Sequence, residues 1–176
     1  MTATFSIEVL GACHARGGFS CGIAALDSYF QNQVTQDVRR RASACYVAVY
    51  GAVNAGTPTM GSTGNVAGYY TLAAAGVPLL DLPTGLAKRL ARYPSVPVAR
   101  VGRLAVDQAF QGRKLGAALL ADAVLRSARS EVAVYALVVD AKDAAAERFY
   151  RHHGFERYGE ATRRLILPLG RFKAAA

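Results

Sequence analysis

With 176 residues, 52% of them hydrophobic and 19% charged, the chain has the size and composition of one folded domain and not of a disordered tail, a collagen or a charged coiled coil. Lys and Arg number 21 against 12 Asp and Glu, and the resulting formal +9 directs attention to an anionic partner: nucleic acid, a phosphorylated cofactor or an acidic protein. No apolar run reaches the roughly 20 residues that span a bilayer, MTATFSIEVLGACHARGG is no secretory signal, and three cysteines without CxxC spacing (Cys13, Cys21, Cys45) fit neither a disulfide framework nor a zinc site. The expected setting is a reducing cytosol, without membrane or metal. Cys21 and Cys45, in the apolar contexts FSCGI and SACYVAV, read as buried thiols.

In chain order, Phe5–Leu10 reads as an opening strand, followed by Gly17 to Gly22 and a helix with Ile23, Leu26, Tyr29 and Phe30 on one face. A second short helix is predicted over Thr35–Arg41, with Thr35 as its cap and Asp37 in its first turn. Ala44–Val53 and Val66–Ala75 read as the two strands of a hairpin whose tip, Gly51–Asn65, is turn chemistry almost throughout. A helix is expected over Leu86–Tyr93 after Pro83, then a strand over Val98–Val106.

A polar loop, Gln111–Gly116, leads into an apolar helix over Leu115–Arg129. The uninterrupted Val132–Val139 run reads as a central strand, Lys142–His152 as a helix closed by Gly154, and Phe155–Tyr158 with Arg163–Leu167 as closing strands. This order of elements predicts a single α/β (α+β) domain, residues 1–176, with a mixed sheet flanked by helices on both faces.

The stretch most informative about chemistry runs from Val101 to Ala117. A strand ends, a glycine-bearing loop turns, and a long helix begins, so that free N–H groups and the positive end of the helix dipole can form an anion site. Glycine permits close backbone approach to a phosphate, and Arg113 and Lys114 add two charges suited to a pyrophosphate. The Walker and dinucleotide-binding patterns are both absent. On this stretch alone, a strand-to-helix turn with no ligand stays open as the alternative reading.

Further along, Val139-Asp-Ala-Lys-Asp-Ala-Ala-Ala-Glu-Arg-Phe-Tyr150 runs into Arg-His-His-Gly154-Phe155. Together with LAVD and QGRKLGAALL, this resembles the GNAT superfamily of acyl-CoA-dependent N-acetyltransferases. The resemblance implies the GNAT fold with a mixed, mostly antiparallel sheet, and acetyl-CoA as co-substrate. It implies that Gln111, Gly112, Arg113, Lys114, Leu115, Gly116 and Ala117 hold the coenzyme pyrophosphate, and that Leu104, Ala105 and Val106 hold the pantetheine arm through their backbone. Lys114 stands where the family usually has the first glycine of its loop. The segments Phe19–Phe30, Gly68–Leu72 and Pro97–Asp107 are further similar to the toxin branch of the family, which acetylates the α-amine of aminoacyl-tRNA and stops translation.

By that resemblance, Tyr150 is the general acid that protonates the departing thiolate; the plainer reading of Tyr150 is an aromatic core residue beside Phe149 and Phe155. The resemblance also implies a cognate ribbon-helix-helix antitoxin and a homodimer, with Leu79–Leu82 as a candidate contact. Lys88, Arg89 and Arg92 on one helix face, with Arg40 in the run Arg39–Arg41, are candidates for a tRNA surface or for an ordinary solvated face. Asp27 and Asp140 read equally as substrate-orienting groups or as local caps, and His152–His153 lack a third metal ligand. Two other functions stay open at this stage: a GNAT enzyme acting on a small amine or a protein N-terminus, and a degenerate fold that only binds.

Overall fold

The computed structural model describes residues 5–51, 65–90 and 92–172. The strands among them are β1 (Phe5–Val9), β2 (Ala44–Tyr50), β3 (Asn65–Pro78), β4 (Ser95–Val106), β5 (Ala136–Asp140), β6 (Glu156–Arg157) and β7 (Arg164–Pro168). They form one sheet in the order β1-β2-β3-β4-β5-β7-β6. β1 with β2, β5 with β7 and β6 with β7 pair antiparallel, whereas β4 and β5 run parallel. The helices are α1 (Ala24–Asn32), α2 (Val34–Arg39), α3 (Thr84–Ala87), α4 (Leu115–Ala128) and α5 (Ala144–His152). This is the mixed α/β architecture that the element order predicts, with the mostly antiparallel pairing that the resemblance implies. Among the described residues no helix is long and apolar enough to cross a membrane.

The chain divides into two compact units. The first comprises residues 1–71 and 103–122. Its core is aromatic: Phe30 stacks on Tyr69 with ring centroids 4.2 Å apart, Phe19 meets both edge-on, and Val34, Cys45, Val47, Val66 and Ala105 complete the cluster. Offset and edge-on contacts of this kind add to what area burial alone supplies. The Tyr69 hydroxyl donates to the Leu26 carbonyl, 2.9 Å away, which ties α1 to β3. Gly68 allows a close approach, because a Cβ there would lie 3.0 Å from the Ala105 carbonyl oxygen and 2.9 Å from a Leu119 methyl.

The second unit comprises residues 72–102 and 123–176. Val77, Leu82, Val96, Val98, Ala136, Val138, Tyr158 and Ile166 form its core, contributed by β3, β4, β5 and β7 with their flanking loops. The register of β4 on β5 runs from Val98 opposite Ala136 to Val101 opposite Val139 and does not extend to Leu104–Val106.

Several sequence expectations are corrected. α3 is a single turn over Thr84–Ala87 in place of a helix over Leu86–Tyr93. After Lys88 the bonds tighten to three-residue spacing (Arg89 N–H to Leu86, Leu90 N–H to Ala87), and Pro94 disfavours helical backbone at Tyr93. Lys88 and Arg89 therefore lie in a turn and Arg92 in a bend, and the three share no helix face. Thr35 lies inside α2, whose cap position is Gln33.

The central strand begins at Ala136, not Val132. Pro97 on the neighbouring strand has no N–H to continue the ladder, and Val132 is 76% exposed. β4 itself starts earlier than expected, at Ser95, and β3 extends to Pro78. The Gly51–Asn65 tip falls, for residues 52–64, outside the described residues.

Candidate active site

In the first unit the end of β4 and the start of α4 bracket a short loop whose shape is set by side chains on backbone. Asp107 is its keystone: its own N–H donates to the Ala67 carbonyl at 2.9 Å, Oδ1 accepts from the Ala109 N–H at 2.9 Å, and Oδ2 accepts from the Ser20 N–H at 2.9 Å. The Gln108 N–H returns a bond to the Ser20 carbonyl at 2.9 Å. Gln111 then spans the turn, its Nε2 donating to the Val106 and Cys21 carbonyls, each 3.0 Å away. Gly22, at φ +89°, makes room for this lacing, since a Cβ there would lie 2.6 Å from the Gln108 amide nitrogen. Strand end, loop and the Ser20–Gly22 segment are thus held as one piece.

Gly112 (φ +76°) and Lys114 (φ +61°) both adopt left-handed backbone. For glycine this is free of steric cost; for lysine it costs about 1–2 kcal/mol. Position 114 therefore holds a left-handed turn with strain in place of a glycine's freedom. The Lys114 carbonyl accepts from the Ala118 N–H at 3.1 Å, the first bond of α4. The N–H groups of Leu115, Gly116 and Ala117 open the helix with no intrahelical acceptor and point outward at its positive end. Gln111, Gly112, Arg113 and Lys114 are exposed, Gly116 and Ala117 half-buried, and Leu115 anchors the turn in the core.

The Arg113 guanidinium carbon lies 5.6 Å from the Phe110 ring centroid, and Phe110 packs on Phe5 and Tyr50. Outward amides, two left-handed residues and two basic side chains fit a diphosphate. On the strand itself Ala105 is buried, while Leu104 and Val106 are half-buried. The sequence places Gln111 in the ligand-holding loop without revealing its side-chain role, and it shows Asp107 within the LAVD motif without revealing what its carboxylate binds. An acidic residue directly after a strand, with a Ser-Cys-Gly turn far upstream, carries no local signal that the two will meet.

In the second unit α5 is capped by Asp143, whose side chain accepts from the Ala146 N–H at 2.7 Å; that bond holds the carboxyl below its usual range. One turn on, Glu147 is only 6% exposed and engages the Arg157 and Arg163 side chains, its carboxyl kept low first by the Arg157 bond. Gly154, at φ +92°, ends the helix and folds the chain back, so that the Phe155 N–H reaches the Tyr150 carbonyl at 3.2 Å.

The Tyr150 ring is thereby held between Phe149 and Phe155, with centroids 5.2 and 5.5 Å away. Tyr150 is 9% exposed, and burial pushes its phenol up to about 12. No group among the described residues hydrogen-bonds its hydroxyl. A protonated, unengaged phenol in a largely dry setting is an acid held in reserve.

The ambiguous acids resolve locally. Burial works against the charge of Asp27, but bonds from the Cys21 N–H, the Cys21 thiol and the Ser20 hydroxyl outweigh it and keep the carboxyl low, so Asp27 closes the Ser20–Gly22 turn. Asp140 pairs with Arg100 and Arg164. Cys21 and Cys45 are buried, and burial raises both thiols, Cys45 to about 12, which leaves neither nucleophilic. Of the basic candidates, Arg40 caps α2 and, like Lys88, Arg89 and Arg92, is exposed.

The chain resembles known proteins over most of its length. The family model described as an acetyltransferase (GNAT) domain matches residues 42–157. A curated relative from Mycobacterium tuberculosis, named tRNA-acetylating toxin, is 35% identical over 140 residues, covering 78% of this chain and 76% of its own. Among solved structures, AtaT complexed with acetyl-methionyl-tRNAfMet superposes with a TM-score of 0.82 at 29% identity, covering 96% of this chain and 97% of the other. AtaTR bound with AcCoA gives 0.75 at 29% identity, over 94% of each. The chain belongs to the GNAT family of acetyltransferases, enzymes that move an acetyl group onto an amine.

Proposed function

We propose that this chain, acting over its whole length as one acetyltransferase domain, uses acetyl-CoA to acetylate the α-amine of aminoacyl-tRNA and so blocks translation. The observation that carries the reading is the likeness to the M. tuberculosis toxin over about three quarters of both chains. The AtaT structures, whose names give acetyl-methionyl-tRNA and AcCoA, support it. The setting is the cytoplasm, the working form a homodimer, and no metal takes part. A ribbon-helix-helix antitoxin restrains the enzyme, consistent with AtaT having been solved with the C-terminus of its antitoxin AtaR.

Acetyl-CoA supplies the acyl group as an activated thioester. Gln111, Gly112, Arg113, Lys114, Leu115, Gly116 and Ala117 bind its diphosphate, and the backbone of Leu104, Ala105 and Val106 orients its arm. The acceptor needs little help: an α-amine has a pKa of about 7.7 to 8.0, and esterification of the adjacent carboxyl lowers it, so much of it is neutral at cytosolic pH. As the N–C bond forms and the C–S bond breaks, Tyr150 gives its proton to the sulfur, the acylated nitrogen releases its extra proton to water, and the resulting phenolate is reprotonated from solvent, which restores the enzyme. Arg40, Lys88, Arg89 and Arg92 contribute to the basic surface that meets the tRNA phosphates. Expression in a bacterial host tests the reading: growth arrests with the wild-type chain and resumes with Tyr150→Phe or with the co-expressed antitoxin. Normal growth at high expression of active enzyme contradicts it.

A further inference from the structure

The chain carries 17 arginines among its 21 basic residues, and the half-buried ones are the informative subset, because a guanidinium removed from water needs an acceptor. Arg16 donates to the Phe30 and Gln31 carbonyls, Arg100 and Arg164 pair with Asp140, and Arg126 is engaged as well. Arg103 stands apart. Its backbone N–H bonds the Thr71 hydroxyl at 3.1 Å, but among the described residues its guanidinium has neither a hydrogen-bond acceptor nor a carboxylate partner.

What holds Arg103 is a ring: its guanidinium carbon lies 3.5 Å from the centroid of Tyr29. Asp37 on α2 accepts from the Tyr29 hydroxyl at 2.8 Å, and among the described residues it forms no ion pair with Arg103. Stacking on a ring face fixes the plane of the guanidinium and leaves its edge, where the N–H donors lie, free to meet a planar or tetrahedral anion. Strand alternation puts Arg103 on the same face of β4 as Ala105, the face that packs toward α1. It is separated by no residue from Leu104–Val106. The charge is active there, for it works against the burial that raises the Tyr29 and Tyr69 phenols.

We propose that Arg103 is a receptor for a substrate phosphate, a pre-oriented guanidinium at the strand end. This assignment rests on the acyl-transfer reading above and adds a side chain to it. The phosphate has two sources, a phosphodiester of the acceptor's tRNA or a phosphate of the coenzyme.

The test compares wild type with Arg103→Gln and with Arg103→Met, which keeps an apolar stem against Tyr29 without the charge. Binding of total tRNA is measured across a salt series, and binding of CoA alongside it; kcat/KM with acetyl-pantetheine, a phosphate-free donor, is the control. If the acceptor is the source, both variants bind tRNA about tenfold more weakly, with the salt slope reduced by about one counterion, and bind CoA normally. If the coenzyme is the source, CoA affinity falls by a similar factor while acetyl-pantetheine use is unchanged. Unchanged affinity for both ligands overturns the proposal, as does a loss of CoA affinity matched by an equal loss in kcat/KM for acetyl-pantetheine at saturating acceptor, which marks Arg103 as a packing residue. A wild-type chain that binds no tRNA sinks the tRNA reading and leaves the coenzyme arm to decide Arg103. Arg103→Met decides the case should Arg103→Gln fail to fold.

Discussion

Replacing Tyr150 with phenylalanine separates catalysis from folding, because the hydroxyl has no hydrogen-bond partner among the described residues. The variant keeps the ring between Phe149 and Phe155 and leaves no donor or acceptor orphaned. Its stability is therefore expected within about 0.5 kcal/mol of wild type, where loss of an engaged buried hydroxyl costs about 1–3 kcal/mol. Coenzyme affinity is also expected to hold, since no part of the 111–117 loop changes.

Transfer behaves differently. Burial pushes the phenol up to about 12, so it is protonated at neutral pH and gives up its proton only as negative charge builds on the sulfur in the transition state. Removing it lowers kcat at least about tenfold, and by as much as about 10²–10⁴ if the proton is fully transferred in the transition state. The assays are urea unfolding, calorimetric titration with CoA, and initial rates at saturating substrates. Full activity removes Tyr150 from the mechanism. A stability loss above about 1.5 kcal/mol shows instead that the hydroxyl is bonded in the fold, and refutes the reasoning.

Three other outcomes follow from the same geometry. Gly112→Ala is expected to destabilise by about 1 kcal/mol, because alanine must enter left-handed backbone, whereas Lys114→Gly stays within about 1 kcal/mol of wild type as relief of strain offsets added chain entropy; urea midpoints of both variants check this. Asp107→Ala strands the Ser20 and Ala109 N–H groups and loosens the loop, which costs about 1–2 kcal/mol and raises the KM for acetyl-CoA more than it lowers kcat. Alkaline stability has a defined sign: burial raises Cys45 from 9.0 and Tyr150 from 10.0, each to about 12. The unfolded chain releases these protons first, so their stabilising contribution is complete below pH 9 and is lost as pH rises toward 12. The Cys45→Ala, Tyr150→Phe double variant should show a flatter decline of urea midpoint over that interval, and an equally steep one contradicts the assignment.

Much of this was legible in the sequence for reasons that can be named. Gly154 announced the end of α5 because a left-handed turn is needed there, and the apolar run after Leu115 announced α4. The turn at Lys114 carries no such signal, since a lysine conceals the left-handed conformation that a glycine advertises. Pro97 on the neighbouring strand cuts the central strand back from Val132 to Ala136, whereas α3 shortens to one turn for a local reason, the three-residue bonds after Lys88 with Pro94 just beyond. Asp107, Glu147 and Arg103 were not singled out as site side chains, because each derives its role from residues far away in sequence: Ser20, Arg157 and Tyr29. Periodicity reports which face is buried; it does not report which buried polar group meets which.

The most direct measurement is incubation of the purified chain with radiolabelled acetyl-CoA and total aminoacyl-tRNA, followed by release and identification of the labelled amino acid. The account predicts N-acetylated amino acid recovered from the tRNA fraction with wild type and strongly reduced with Tyr150→Phe. A tRNA fraction without label, from enzyme that readily acetylates free small amines, would contradict it.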